Sequence, residues 1–289
     1  MVGQSPRICC LGDLISDVVV HLDRDPTRGT DTPAAISTFR GGSAANVAVA
    51  VTRAGGVGRF VGSVGEDPQG VSLVSDLERN GVECSVRQVG TTGTIVVLVD
   101  PTGERSFLTD RGAAVSLAVL PRNALEDVDL LHIPAYSFVE GPLAETAEQA
   151  VGIAVDKGVP ISISTSSVAA LRHYGKERFL GLLGAISPQY VIANQAEYNY
   201  LMGGHPWIKE AAVTVITNGA RAGVVRKPDG SEVRVVPETV EVNDTTGAGD
   251  AFTGGFLVSQ MRGEDYADSL RSGHELAALT LDQPGAQLR

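Results

Sequence analysis

The feature that most constrains this chain is an alternation. From about residue 120 onward, short β-branched runs and helical patterns follow one another in the order strand, helix, strand, helix. Such βαβ units imply a mainly parallel sheet covered by helices on both faces. The run Val128-Asp129-Leu130-Leu131-His132-Ile133 is nearly continuously apolar, as a strand buried on both faces requires. Strands are expected at 7–11, 18–22, 59–64, 94–100, 128–133, 159–164, 190–193, 213–217 and 223–226. Helices are expected at 44–54, 70–80, 142–157, 176–186, 195–202, 247–262 and 265–282. Two early segments, 17–40 and 92–111, break the alternation and read as strands joined by turns. Asp100-Pro101-Thr102-Gly103-Glu104 is such a turn, with Pro and Gly where they favour one. These segments are expected to form a small β-lid on a single domain spanning 1–289.

Charge narrows the partners. The chain has 34 acidic and 23 basic residues among 289, a formal net charge of −11. That balance argues against capture of nucleic acid or an anionic membrane surface, which needs a basic face. Nowhere do 18 apolar residues run uninterrupted, so no membrane span is expected. Cys9, Cys10 and Cys84 are an odd number. Neighbours on a strand point to opposite faces, so Cys9 and Cys10 cannot readily pair. Reduced thiols in a cytoplasmic protein are the expectation.

Two glycine-rich segments carry the chemistry. Asp244-Thr245-Thr246-Gly247-Ala248-Gly249-Asp250 leads into a stretch with helical spacing, so Gly-Ala-Gly sits where a loop opens into a helix. Glycines there let backbone N–H groups approach an anion, and the helix N-terminus adds about half a positive charge. Asp250 in that first turn reads either as a simple cap or as a base beside a transferring phosphate. The helix dipole is expected to keep it ionised. Gly41-Gly42-Ser43-Ala44-Ala45-Asn46 opens a helix of small residues, in which Asn46 must bond locally or face a ligand. A P-loop is excluded, because Gly175-Lys176 is followed by Glu177. Gly56-Val57-Gly58 has Val61 at the third glycine position, so a dinucleotide fingerprint is missing as well.

Together these segments resemble the ribokinase-like (PfkB) family of carbohydrate and nucleoside kinases. The first signature is Gly41 to Ala48 with Gly55 and Gly65; the second is Asp244 to Asp250 continuing to Gly254-Gly255-Phe256-Leu257. The similarity runs from Cys10-Leu11-Gly12 to Gly285-Ala286-Gln287. It implies a three-layer α/β sandwich with a mainly parallel central sheet and a β-lid. It also implies an ATP- and Mg²⁺-dependent kinase acting on an alcohol group of a small neutral sugar. Asp250 then matches the catalytic base, and Gly247, Ala248 and Gly249 match the anion hole. Asn194-Gln195-Ala196-Glu197 matches a motif that organises Mg²⁺ and phosphates through water. Asn194 and Glu197 are three apart and share a helix face, as a hydrated Mg²⁺ requires. Thr217, Gly219 and Gly223 match the nucleotide-binding turn, and Thr246, Gly249 and His274 are further nucleotide contacts. Asp17, Gly41, Gly42 and Asn46 match the acceptor site, with Asp13 a neighbouring carboxylate and Arg105 a lid residue. Asp244 and Thr246 match positions of a monovalent-cation site, which implies K⁺ stimulation.

Departures bear on the substrate. Ser43 stands where some members carry Lys, and Ser162-Ile163-Ser164-Thr165-Ser166-Ser167 stands where many place Asp or Asn. A neutral acceptor follows unless Arg24, Arg28, Arg40, Arg105 and Arg111 converge under the lid. The alternatives are a nucleoside (adenosine-type) kinase and a non-catalytic sugar- or nucleotide-sensing protein. An aromatic clamp would favour the former, yet the lid offers only Phe39 and Phe107. Exposed lid edges imply a homodimer paired through the lid.

Overall fold

The structure is a computed structural model describing residues 5–203, 208–281 and 285–286. The expected helix end at Asp282 and the expected similarity at Gln287 lie outside the described residues.

The chain begins with β1 (Arg7–Leu11), β2 (Ile15–Leu22), β3 (Ala34–Gly41), α1 (Ser43–Arg53), β4 (Val57–Val64) and α2 (Pro68–Arg79). Next come β5 (Glu83–Gln88), β6 (Thr92–Val99) and β7 (Arg105–Gly112). The alternating half holds β8 (Leu130–Pro134), α3 (Gly141–Lys157), β9 (Ile161–Ser164), α4 (Val168–Tyr174), α5 (Lys176–Ile186), β10 (Tyr190–Asn194) and α6 (Gln195–Met202). It ends with β11 (Val213–Thr217), β12 (Gly223–Arg226), β13 (Glu232–Val235), α7 (Ala248–Met261) and α8 (Tyr266–Leu281).

Nine strands form one sheet in the order β13-β12-β11-β10-β9-β8-β1-β4-β5. Its pairings from β11 through β5 are parallel, and β12 and β13 add an antiparallel edge. One face packs on α3 to α6 through Leu143, Ala147, Phe179 and Leu201, while the other packs on α1, α2, α7 and α8 through Ala48, Leu77, Phe256 and Leu270. Cys9 belongs to the first core and Cys10 to the second, so the two thiols lie on opposite faces. A separate four-stranded sheet, β3-β2-β6-β7, holds the two segments that broke the alternation.

Three elements lie outside the sequence expectation. β5 and β13 are short edge strands carrying Glu83 and Arg87, and Glu232 and Arg234, so neither shows the apolar run of a central strand. α4 is capped by Ser167, whose side chain accepts from the Ala170 N–H. The serine-rich run that hid this helix is the end of β9 followed by that cap.

Two glycines are fixed by close approach. Gly42, at φ 101°, would put a Cβ 2.2 Å from the Asp13 carbonyl oxygen. Gly254 lets α7 lie against α1, where a Cβ would meet the Ala50 Cβ at 2.4 Å. Since Ser43 also meets Asp250, the two helices run side by side from a common start.

Candidate active site

The carboxyl ends of the parallel strands collect the residues singled out in the sequence, as in other open α/β sheets. Thr217 closes β11, Asn194 closes β10, and the link Gly12-Asp13-Leu14 leaves β1. Above them the N-termini of α1 and α7 converge, so two positive dipole ends meet. Asp250 lies between them. Its Oδ1 accepts from Ser43 Oγ at 2.7 Å, and its Oδ2 accepts from Asn46 Nδ2 at 3.0 Å. Asn46 therefore donates to a carboxylate 204 positions away, a partner outside the local bond or ligand that the sequence offered. The helix ends do not keep the Asp250 carboxyl at its ordinary value. Burial raises it to about 6 and outweighs the hydrogen bonds from Ser43 and Asn46.

Gly247 caps α7 in the left-handed region at φ 78°, and a Cβ there would meet the Ala286 Cβ at 2.4 Å. The first N–H groups of a helix have no intrahelical acceptor. Ala248 N–H makes a 3.3 Å bond to the Thr245 carbonyl. A Cβ at Gly249 would meet nothing within 4 Å, so the space before this loop is open.

On one side of Asp250 lies a polar cluster. Asp17 on β2 sits against Gly41, where a Cβ would fall 2.4 Å from the carboxyl carbon. Burial, then the charge of Asp250, raise the Asp17 pKa to about 6, although Arg40 opposes them. Asp13, expected at the acceptor site, is already paired. Both of its oxygens are taken by Arg111, at 3.0 and 2.7 Å, and Arg111 also reaches Glu140 and the Tyr136 carbonyl. Arg40 is buried and binds Asp76 at 2.7 Å, Asn46 and the Ala286 carbonyl. Arg105 donates to Asp244 at 2.7 Å and Thr246 at 3.0 Å. Arg24 and Arg28 are exposed in the loop between β2 and β3. The arginines do not converge on one anion.

The pairing of Arg105 also bears on the cation expectation. Asp244 Oδ1 accepts from Arg105 and from the Thr246 N–H and hydroxyl, while Oδ2 accepts from the Gly285 N–H. An ionised carboxylate oxygen has about two acceptor positions, so Oδ1 is filled and Oδ2 is half used. Arg105 already brings a positive charge to the carboxylate expected to help hold K⁺.

Asn194 and Glu197 form a reciprocal capping box on α6. Glu197 is buried and also accepts from the Thr165 hydroxyl at 2.5 Å, so it is not a solvated first-turn acid. Neither side chain is a free inner ligand. The negative charge of Glu197 reaches the site electrostatically, since it is among the groups that raise Asp250. Among the described residues, no three His, Cys, Asp or Glu side chains cluster to hold a metal. That sparse donor set fits Mg²⁺ taking most of its ligands from phosphates and water.

On the other side of Asp250 is a cavity of about 640 Å³. Its wall includes Thr217, Gly219, Ala248, Gly249 and His274, uniting five residues expected for nucleotide or anion binding. Gly223 touches it through His274, whose Nε2 would lie 2.6 Å from a Cβ at that position. Asn194 and Thr246 are not part of this wall. Sequence reasoning missed the 235–240 segment and the α8 residues Arg271 and Glu275, which also line the cavity. The signal was the run of valines before the glycine loop, too apolar for a loop that covered nothing.

A large, mostly parallel α/β sandwich with a carboxylate between two helix N-termini defines a class of fold and site. The comparisons give the family. The model of the pfkB family carbohydrate kinases matches residues 5–289, and the chain belongs to that family. A ribokinase of Bacillus subtilis is 30% identical over 97% of this chain and 94% of its own length. An ATP-dependent ribose-1-phosphate kinase of Halopiger xanaduensis is 29% identical over 97% and 94%. The crystal structure of an adenosine kinase from Sinorhizobium meliloti has the same fold, with a TM-score of 0.84 at 23% identity over 99% and 96%. The chain is a carbohydrate kinase, a phosphotransferase acting on hydroxyl groups.

Proposed function

We propose that the enzyme transfers the γ-phosphoryl group of ATP to an alcohol group of a small neutral sugar. The observation that carries this reading is Asp250, held by Ser43 and Asn46 where two helix N-termini meet. A carboxyl with a pKa of about 6 is ionised at pH 7, yet basic enough to accept the proton of an attacking hydroxyl. Asp17 holds an acceptor hydroxyl, with Gly41 and Gly42 shaping the wall and Asn46 positioning Asp250. Gly247, Ala248 and Gly249 offer N–H groups to the moving phosphoryl group, where positioning and charge neutralisation matter most. Mg²⁺, when bound, neutralises phosphate charge, and Asn194 with Glu197 orient its waters. The 640 Å³ cavity fits a nucleotide, with Thr217, Gly219 and His274 on its wall. The four-stranded sheet acts as a lid that excludes water. Its exposed Ile36, Phe107 and Leu108 support a homodimer through that sheet.

Neutrality of the acceptor rests on the pairing of Arg40, Arg105 and Arg111 with carboxylates. A phosphate dianion beside Asp17 would meet like charge in a poorly screened site. The relative named for ribose 1-phosphate supplies the contrary case. An ADP-release assay over neutral sugars, nucleosides and sugar monophosphates decides between them. The highest kcat/KM is expected for a neutral sugar; a phosphosugar or nucleoside that outperforms all neutral sugars overturns the assignment.

A further inference from the structure

The contact between Arg105 and Asp244 joins two parts of the molecule that are far apart in sequence. Arg105 opens β7 on the four-stranded sheet, opposite Val99. Asp244 lies 139 positions later, in the turn that leads directly into Gly247-Ala248-Gly249. The guanidinium spans the turn, with one nitrogen on Asp244 Oδ1 at 2.7 Å and the other on Thr246 Oγ1 at 3.0 Å. Thr246 in turn gives its N–H and hydroxyl to the same Oδ1, at 2.8 and 2.7 Å. From the other flank the Gly285 N–H donates to Oδ2 at 2.9 Å.

One carboxylate therefore ties the 244–246 turn, residue 285 and the second sheet to the start of α7. Thr246 immediately precedes Gly247, whose left-handed backbone sets the direction of the first N–H groups. A shift of Thr246 is a shift of those donors. The Asp244 side chain is 14% exposed, so its charge is poorly hydrated and needs a cationic or well-directed partner. Burial alone would raise its pKa; the bonds from Gly285, Thr246 and Arg105 outweigh that and hold it down to about 2. Arg105 is 31% exposed, so water reaches one side of the pair.

We propose that Arg105 is a positioning residue whose guanidinium is a built-in cation for the 244–246 turn, setting the anion-binding loop when the second sheet lies against it. The enzyme then needs no soluble monovalent cation, and its glycine loop is fully ordered only with that sheet in place. This rests on the kinase reading above, because the loop's task there is to hold a phosphoryl group.

The test compares wild type, Arg105→Ala and Arg105→Lys in choline, Na⁺ and K⁺ chlorides at equal ionic strength, each with and without millimolar guanidinium. Wild-type kcat/KM is expected to stay within about twofold across the three salts. Arg105→Ala should lose roughly 10- to 100-fold in choline, the usual range for a charge-assisted hydrogen bond. K⁺ or guanidinium should restore several-fold of that loss, because the space and the carboxylate remain and solvent reaches both. Arg105→Lys, with a point charge in place of a fork, should fall between. Strong K⁺ stimulation of wild type overturns the proposal. So does an Arg105→Ala enzyme with wild-type kinetics, or one that no cation rescues. Thermal melting gives the same decision without turnover: K⁺ or guanidinium should stabilise Arg105→Ala more than wild type. If no acceptor is phosphorylated, the kinase reading fails, and melting alone decides the cation. An equal shift in both proteins overturns it.

Discussion

The two sides of Asp250 are built on opposite principles. Toward the second sheet the site is a set of charges: Asp13 is paired with Arg111 and Arg40 with Asp76, while Asp17 feels the like charge of Asp250. Toward α8 it is a wide cavity walled by Val235, Val242, Phe252 and Leu281. A prearranged polar site rejects an analogue that lacks the matching hydroxyl, because its buried groups are then left unpaired. An apolar cavity with few polar groups instead gains affinity through burial and takes its selectivity from those few. The contrast predicts strict choice of acceptor and looser choice of nucleotide.

The largest effect should come from the residue both sides share. Asp250→Asn is expected to lower kcat by roughly two to four orders of magnitude while ATP binding persists, the range for a positioned base. Steady-state kinetics with a parallel ATP-binding titration checks this; turnover within tenfold of wild type would remove Asp250 from the role. Asp17→Asn breaks the acceptor side alone. It should cost roughly 10- to 100-fold in kcat/KM for the acceptor and leave the KM for ATP within about twofold. A matching rise in the ATP constant would mean that the two sides are not separate.

Acid tests the coupling inside the polar side. Asp250 and Asp17 each have a pKa raised to about 6, chiefly by burial, and the charge of Asp250 contributes to the shift of Asp17. They should titrate as a pair, so log kcat/KM should fall by about one to two units per pH unit below pH 6. The stability effect has the opposite sense. The folded pKa lies above the ordinary 3.8, so the folded state binds protons more tightly than the unfolded chain. That contribution is complete below about 3.8 and is lost as pH rises through about 6. Asp250→Asn should therefore melt higher than wild type at pH 8, by a margin that vanishes toward pH 4. A flat rate profile from pH 5 to 8 refutes the shifted pair.

Much of this was legible in the sequence because the parallel core writes itself as apolar runs, and the glycine loops as a spacing. The edge strands β5 and β13 were not, since a half-exposed strand carrying Glu and Arg looks like any polar segment. In the site, Asp250 and the anion loop could be read locally. The partners of Arg105 and Arg111 could not, because they lie 139 and 98 positions away and only folding brings them together. Asp250 is still ionised at pH 7 as expected, but its raised pKa was not legible, for a related reason. Its helix end is visible in the sequence, whereas the mass of protein that dehydrates it is not. The burial of Glu197 likewise has no local sign, because Thr165, just beyond β9, meets it only in the fold.

The smallest effect belongs to the cavity side, at His274. Burial lowers the pKa of this imidazole, against a hydrogen bond to the Val235 backbone that favours the protonated form. A bond of that sense is a donation to the Val235 carbonyl. The ring is neutral at pH 7, so the proton sits on the nitrogen facing Val235. Nε2 is buried against Gly223, so the ring meets the cavity through its carbon surface rather than through that nitrogen. Phe252 packs edge-on at 5.1 Å and fixes the tilt of that surface. Adenine and guanine present the same kind of face to it. His274→Leu, similar in volume and apolar, should therefore move the KM for ATP and for GTP together and by no more than about threefold. The KM for the acceptor and kcat should change by less than about twofold. A rise confined to ATP would show that the ring reads adenine by a hydrogen bond, and the cavity would then choose its nucleotide more strictly than its apolar wall implies.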